Sequence, residues 1–209
     1  MDLDPKMCDE LLGTTRSVRK RLDLTRTVPR RLIEECLDLA VQAPTGSNSQ
    51  TWRWIVIDDP KIRGDLADLY RRHAQPYLHG AVSQADEGQT KRVFQSAIYL
   101  MDNLEKVPVH VIPCILGRVP QGANGAGLFA SIYPAVWNFQ LALRARGLGS
   151  CLTTLHLGSA DEAAQILNIP DQVTQAALLP VAWTVGTQFR RANRPPVDTV
   201  TYWNKFEAH

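Results

Sequence analysis

Apolar residues recur every three to four positions along several stretches of this chain, the spacing that gives a helix one apolar face. The pattern is clearest between Pro29, which suits a first helical turn, and Pro44, which cannot continue a helix. The same spacing predicts helices over residues 61–75 and 89–106. Residues 128–146 are apolar on nearly every side, so we expect a helix buried in the domain or between two subunits.

Apolar runs bounded by turn residues predict the strands. One run covers Trp52–Ile57 and another covers Val107–Leu116. Because proline cannot donate to a ladder, Pro113 within the second run predicts an edge strand or a bulge. Residues 150–155 and 176–185 form two further strand-like runs.

The order of these elements favours the α+β class. Helices and strands mix without the strict rhythm of a doubly wound sheet, so we expect an α+β fold in a single domain over residues 1–209. Residues 75–88 have little apolar content, and we predict a mobile segment there.

Composition narrows the class of protein without revealing its chemistry. The 209 residues are 44% hydrophobic and 21% charged with a net charge of +2, which is ordinary for a soluble globular protein. No apolar run approaches the roughly 20 residues that cross a bilayer, and the 4 cysteines are scattered singly. We therefore expect a cytoplasmic protein without disulfides or a membrane partner.

The loop from Ala43 to Trp52 joins the first predicted helix to the first strand through small polar residues. It offers backbone N–H groups, an amide and hydroxyls to a planar polar ligand, without bulky side chains in the way. The alternative is an ordinary helix-to-strand connection in which Asn48 and Gln50 bond local backbone groups.

Basic residues cluster near both ends of the chain. Arg16, Ser17 and Arg19 place a hydroxyl between two guanidiniums, which is the donor set that a phosphate prefers. A second basic group includes Arg190 and Arg194. The alternative for such a cluster is a solvated basic face, and the basic run over residues 16–31 leaves a nucleic-acid-binding surface open as well.

Motifs for several other kinds of chemistry are missing from the sequence. It contains no dinucleotide-binding glycine pattern, P-loop, nucleophile elbow or His-Glu-x-x-His motif, and its histidines lack metal-ligand spacing. If the chain is an enzyme, we expect no catalytic side chain and no metal, and the chemistry would belong to a bound cofactor.

Four segments, taken in order, resemble the FMN-dependent nitroreductase family. They are Thr-Arg-Ser-Val-Arg at 15–19, Ala-Pro-Thr-Gly-Ser-Asn-Ser-Gln-Thr-Trp at 43–52, Gly-Leu-Gly-Ser-Cys at 147–151, and the Pro180 strand with Arg194-Pro195 beyond it. The resemblance spans nearly the whole chain. It implies a mainly antiparallel sheet flanked by helices, in an intertwined homodimer with exchanged terminal segments, a long central helix and two FMN sites between the subunits.

The resemblance also implies roles for individual residues. Arg16 and Ser17 would meet the FMN phosphate, and Arg194 with Arg190 would close on it from the C-terminal side. Arg19 would reach the pyrimidine end of the flavin.

Two further segments would contact the flavin ring. Thr153, Thr154 and Leu155 occupy the segment whose backbone N–H faces flavin N5 in the family, although the family's Pro-x-Glu-Gly pattern is replaced here. A loop of the partner subunit would approach the ring with Pro44, Thr45, Gly46 and Asn48, and Gln50 is a further expected contact in that loop.

The implied activity is hydride transfer by a ping-pong mechanism. NADPH or NADH would reduce FMN and leave, and a small electron acceptor, a nitroaromatic or quinone, would take its place. Negative charge near N1 and O2 of the reduced flavin would be stabilised by Arg19. Two alternatives stay open: a flavin-processing or flavin-carrier member of the same fold, and a non-enzymatic nucleic-acid-binding protein that uses residues 16–31.

Overall fold

An antiparallel sheet with a hydrophobic core on each face organises the chain. The computed structural model describes residues 3–119 and 125–206. The helices are α1 (Pro5–Thr14), α2 (Arg30–Ala40), α3 (Pro60–Gln84), α4 (Gln89–Asn103), α5 (Ala126–Ala145) and α6 (Ala160–Leu167). The strands are β1 (Trp52–Ile57), β2 (Val109–Leu116), β3 (Leu148–Ser150), β4 (Val173–Gln175) and β5 (Leu179–Trp183).

The predicted α+β class and the mainly antiparallel sheet are confirmed. The strand order is β1–β2–β5–β3, and β4 pairs with the C-terminal end of β2 beside β5. Side chains of β2 alternate between the two cores, as the pleat of a strand requires. Ile112 and Cys114 pack in the core that includes residues of α3 and α4. Val111 and Ile115 pack in the core that includes residues of α2 and α5.

Pro113 lies in the middle of the sheet, so the expectation of an edge strand is wrong and that of a bulge holds. β2 has neighbours on both sides. Between the stretches that pair with β5 and β4, residues 176–178 stand opposite only two residues of β2. The ladder is therefore interrupted where Pro113 has no N–H to donate, and its carbonyl accepts from the N–H of Ala176 at 2.9 Å.

The two strand-like runs near the C-terminus are shorter and more divided than predicted. Because of the bulge, residues 176–185 contribute only β5, and β4 ends just before them. β3 ends at Ser150, and Thr153 forms one isolated bridge with Leu178 before a 3₁₀ segment over Leu155–Ser159.

Residues 75–84 are helical, so the helix predicted over 61–75 is longer than expected and includes most of the segment for which mobility was predicted. α3 continues through Pro76 to Gln84. The reason is tertiary packing: Leu78 is buried in the core, and the ring of Tyr77 meets the edge of Phe94 on α4 with centroids 6.4 Å apart. The low apolar content of the whole segment therefore gave no sign of the contacts that Leu78 and Tyr77 make.

α5 has one face in the domain and another open to solvent in a single chain. Ile132, Phe139 and Leu143 are fully buried, whereas Trp137 is 43% exposed. None of the helices in the described ranges combines the length and apolar character that a bilayer crossing requires.

Two histidines, His110 and His156, are completely buried in the fold. The Nε2–H of His110 donates to the carbonyl of Leu104 at 2.9 Å. Neither ring nitrogen of His156 makes a hydrogen bond of normal geometry with the described residues, although the side chain of Gln175 is close enough to oppose the effect of burial on its pKa. Burial lowers the pKa of each histidine to about 4.

We expect the free energy of unfolding of the His156→Leu variant to fall less on acidification than that of the wild type. Below pH ~6.5 a histidine of the unfolded chain takes up a proton, whereas buried His156 does so only near its pKa of about 4. Its contribution to stability is thus complete above ~6.5 and falls by about 1.4 kcal/mol per pH unit as the pH drops toward 4. Urea unfolding across this range checks the slope, with His79→Leu at an exposed position as control. Parallel slopes for the two variants would contradict the prediction.

Candidate functional site

A cavity with a volume of about 1110 Å³ lies in the described part of the chain. Its walls come from residues between 12 and 19, from α4, from one side of α5 and from residues 191–194. Small-molecule sites usually enclose roughly 300–1,000 Å³. The cavity therefore has room for a nucleotide-sized ligand with a second molecule beside it.

Basic residues from both ends of the chain meet on this cavity. Arg16, Ser17 and Arg19 line it, and so does Arg194. The guanidinium of Arg16 donates to the carbonyl of Arg190 at 2.8 Å, which ties the two segments together. Arg190 itself does not line the cavity, so its contact with the site is this carbonyl.

Val18 holds the N-terminal basic segment against β3. Its side chain is buried, and its N–H donates to the carbonyl of Ser150 at 2.8 Å. A Cβ at Gly149 would lie 3.0 Å from the Cβ of Val18 and 2.7 Å from Cγ2 of Thr184, so this approach requires glycine. Because Val18 is buried, its neighbours Ser17 and Arg19 are left on the cavity side.

One face of α4 forms a wall that sequence analysis missed. Gln89, Arg92, Val93 and Ser96 line the cavity at the i, i+3, i+4, i+7 spacing of a single helix face. Arg19 reaches this wall, since its guanidinium donates to Oγ of Ser96 at 3.4 Å. The periodic signal was present in the sequence, but a mixed polar face is also typical of a solvent-exposed helix.

The electrostatics of the cavity favour an anion. No carboxylate occurs among the described residues that line it, and five arginines do, namely Arg16, Arg19, Arg92, Arg191 and Arg194. Guanidiniums bind phosphate and carboxylate groups through charge-assisted hydrogen bonds. No cluster of three or more metal-ligating side chains is present in residues 3–119 and 125–206.

The buried thiol next to the cavity is not poised for nucleophilic attack. Cys151 is almost completely buried, and burial raises its pKa. Arg19 and Ser17 oppose this shift without cancelling it. The thiol therefore stays protonated at neutral pH.

The loop after α2 does not reach the arginine-lined cavity within one chain. Gly46 lines a separate cavity of about 460 Å³, and Pro44, Thr45, Asn48 and Gln50 line neither. Asn48 and Gln50 bond each other, because Nε2 of Gln50 donates to Oδ1 of Asn48 at 2.8 Å. This bond is local, but it joins two side chains, whereas the alternative expected bonds from these side chains to the backbone.

The backbone of this loop is strained. Ser47, Asn48 and Gln50 have φ values of 52°, 51° and 47°, in the left-handed region that favours glycine. Three such residues in so short a stretch suggest a conformation kept for a binding role.

Thr153 and Thr154, in the segment 153–155, differ in the hydrogen bonding of their backbone N–H groups. Thr153 exchanges backbone bonds with Leu178 at 3.0 and 2.8 Å, and its hydroxyl donates to that of Tyr70 at 3.2 Å. The N–H of exposed Thr154 has no partner within the described part of the chain. Thr153, Thr154 and Leu155 do not line the cavity, but the adjacent Leu152 does.

Arginines of the basic run 16–31 are largely engaged by the fold. Arg21 donates to the carbonyl of Val185 at 2.8 Å and stacks on the ring of Phe189. Arg30 forms a bidentate ion pair with Asp58. These contacts connect part of the basic run to the fold itself.

Comparison with known proteins decides the family. A model of the nitroreductase family matches residues 12–183. The chain belongs to the nitroreductase family. Among curated proteins, iodotyrosine deiodinase from Thermotoga neapolitana is 24% identical over 147 residues, which cover 70% of this chain and 73% of that protein.

Solved structures share the nitroreductase-family fold at low sequence identity. The FMN-dependent nitroreductase NfnB from Mycobacterium smegmatis, solved in complex with NADPH, has a TM-score of 0.71 at 19% identity and covers 96% of this chain and 99% of its own. An iodotyrosine deiodinase bound to FMN and 3-iodo-L-tyrosine has a TM-score of 0.69 at 21% identity and covers 92% and 96%. At these identities the likeness establishes the fold alone.

The resemblance seen in four sequence segments is thereby confirmed at the level of the family. The family match includes the segments at 15–19 and 43–52 but ends at residue 183. Arg194 lies beyond it, so the tertiary structure, and not the family match, brings the C-terminal arginine to the cavity.

We expect Gly149→Ala to lower the free energy of unfolding by roughly 1–3 kcal/mol, because the new methyl group must displace Val18 or Thr184. Gly64→Ala on α3 is the matched control. A Cβ at Gly64 meets no atom within 4 Å, and alanine is favoured over glycine in a helix by up to about 1 kcal/mol. Urea unfolding of both variants tests the contrast, and a Gly149→Ala protein as stable as the wild type would disprove the tight approach.

Proposed function

We propose that this protein is an FMN-dependent oxidoreductase that passes hydride from NADPH or NADH, through FMN, to a nitroaromatic or quinone acceptor by a ping-pong mechanism. One observation carries the proposal: arginines from both ends of a nitroreductase-family chain converge on one cavity that has no carboxylate among its described lining residues.

One set of donors in the cavity wall fits the phosphate of FMN. Arg16 and Arg194 offer guanidinium N–H groups, and Ser17 offers a hydroxyl. Each charge-assisted bond to phosphate contributes roughly 1.5–3 kcal/mol. The bond from Arg16 to the carbonyl of Arg190 holds the guanidinium in place before the phosphate arrives. Three such donors are enough to anchor a dianion.

Arg19, which also lines the cavity, would meet the other end of the cofactor. When bound, FMN supplies the hydride chemistry, and reduction places negative charge on the pyrimidine edge of its ring. The guanidinium of Arg19, held by Ser96, would stabilise that charge. No proton-transferring side chain is needed for this step.

The N–H of Thr154, which has no partner in the described part of the chain, is the best candidate for a contact to flavin N5. Thr153 cannot serve, because its N–H is already bonded to the carbonyl of Leu178. The bonds that Thr153 makes to Leu178 and Tyr70 would instead fix the position of Thr154. Leu152, which lines the cavity, directly precedes this pair.

A homodimer would complete the site, with a second copy of this chain as the occupant of its exposed apolar surface. Trp203 and Phe206 in the C-terminal segment are 86% and 85% exposed in a single chain. Trp137, which lines the cavity from α5, is also partly exposed. A partner would cover these side chains and would bring its strained loop around Asn48 to the flavin ring.

The named relatives guide the choice of substrates to assay. NfnB was solved with NADPH, so NADPH and NADH are the first donors to compare. Since other relatives are iodotyrosine deiodinases, 3-iodotyrosine is a second acceptor to test beside nitroaromatics and quinones. Turnover of free reduced FMN without an added acceptor would favour the flavin-processing alternative.

We expect the purified protein to be yellow, or to become yellow on adding FMN, and to bleach with NADPH or NADH without oxygen. A nitroaromatic or quinone should then restore the colour. The same yellow species should sediment with about twice the 23.3 kDa mass of one chain. Protein that takes up no FMN, or that neither donor bleaches, would refute the proposed activity.

We expect Arg16→Gln to weaken FMN binding by about tenfold or more, because it removes a charge-assisted bond to the phosphate. Binding of riboflavin, which has no phosphate, should change much less. Arg31→Gln, an exposed arginine in the first turn of α2, is the control. Quenching of flavin fluorescence measures both affinities, and equal losses for FMN and riboflavin would argue against a phosphate contact.

A further inference from the structure

The guanidinium of Arg92 differs from those of the other arginines in the cavity wall. It has no hydrogen-bond or ion-pair partner within residues 3–119 and 125–206, although Arg92 lines the cavity. The other four each donate to a protein oxygen: Arg16 to Arg190, Arg19 to Ser96, Arg191 to Asp9 and Arg194 to Asn193. Contacts with protein oxygens therefore help to hold four of these guanidiniums in place, whereas no such contact among the described residues holds the guanidinium of Arg92.

Arg92 lies one helical turn from the contact that holds Arg19. Ser96, which accepts from Arg19 at 3.4 Å, is four residues further along the same face of α4. Cβ atoms four residues apart on a helix are about 5–6 Å apart. The base of the Arg92 side chain is thus close to the end of the cavity where Arg19 would hold the flavin ring, while Arg16 and Arg194 would hold the phosphate.

The charge of the cavity exceeds what FMN alone would neutralise. Five arginines line it, without a carboxylate among the described lining residues. A phosphomonoester carries about −1.5 to −2 at neutral pH, and a reduced flavin ring adds about one more negative charge. About two positive charges remain. Lys91 beside Arg92 is paired with Glu87, which lies two residues before α4, so this neighbouring pair adds no net charge.

We propose that Arg92 binds an anionic group, a carboxylate or a phosphate, on the molecule that stacks against the flavin. This inference rests on the proposed FMN site. It makes Arg92 a determinant of substrate choice, because an uncharged substrate leaves the cation without a partner. Gln89, one turn closer to the start of α4, presents an amide on the same face as a second donor to that group.

Two substrates can carry the anionic group, and paired probes distinguish them. In the acceptor arm, 4-nitrobenzoate is compared with uncharged 4-nitrotoluene. In the donor arm, NADP⁺ is compared with NAD⁺, which lacks the additional phosphate. Each is titrated into oxidised, FMN-loaded protein, and the shift in flavin absorbance gives a dissociation constant without turnover.

Arg92→Gln should weaken binding of the anionic member of at least one pair by about tenfold or more, with a much smaller effect on its uncharged or less charged match. Arg92→Lys should retain part of the affinity, because it keeps the charge and loses the bidentate geometry. Arg31→Gln serves again as control and should resemble the wild type.

FMN affinity is measured first for every variant. This measurement separates failure of the Arg92 proposal from failure of the proposed FMN-dependent function. Failure of the wild type to take up FMN would remove the proposed function and this inference together. Loss of FMN affinity in Arg92→Gln as large as in Arg16→Gln would overturn the inference alone, since Arg92 would then be a cofactor contact. Equal effects on anionic and uncharged probes in both arms would overturn it as well.

Discussion

The contact of Val18 with β3 is the constraint on which the arrangement of the cavity depends. Basic residues repel one another, and four of the arginines in the cavity wall come from two segments more than 170 residues apart in sequence, as the Arg16 to Arg190 bond illustrates. Burial of Val18 against Gly149 and its bond to Ser150 hold the N-terminal segment at the sheet in spite of that repulsion. Stability of the core is thereby coupled to the positions of Ser17 and Arg19.

The protein reduces the cost of gathering these charges in two ways. Several guanidiniums donate to neutral oxygens of the backbone or of a hydroxyl, so their N–H groups are satisfied without an anion. The wall is also open to solvent, which screens the repulsion. Neither the hydrogen bonds nor the solvent neutralises the positive charge. An anion that binds the folded protein more tightly than the unfolded chain would therefore stabilise the fold.

The two cavities of a single chain fit a site that is shared between subunits. The strained loop lines the smaller cavity through Ser47 and does not line the cavity that holds the arginines of the same chain. Strain of this kind persists only where the surrounding structure or a binding role maintains it. Exposed aromatic residues such as Trp203 provide apolar surface that a second copy could bury. The proposed dimer explains both features by one arrangement.

Much of this fold could be read from the sequence, because the relevant signals are local. The strand Trp52–Ile57 was predicted with its observed bounds, and the helix before Pro44 follows from apolar spacing and proline positions. The segments at 15–19 and 43–52 identified the family, since short ordered motifs keep their spacing when the rest of the chain diverges. Local patterns also indicated the chemistry expected of Arg16 and Arg194.

Only the tertiary structure decided which residues share the cavity. The sequence around Pro113 does not show that it lies on a central strand. That position depends on β4 and β5, which both pair with β2 and leave a break opposite Pro113. Arg92 could not be assigned a role, because a polar helix face looks the same in sequence whether it meets solvent or a cavity. Likewise, the unequal hydrogen bonding of Thr153 and Thr154 depends on Leu178, which is distant along the chain. The sequence by itself determined the family and most of the secondary structure, which follow from neighbouring residues, whereas the composition of the site follows from contacts between distant ones.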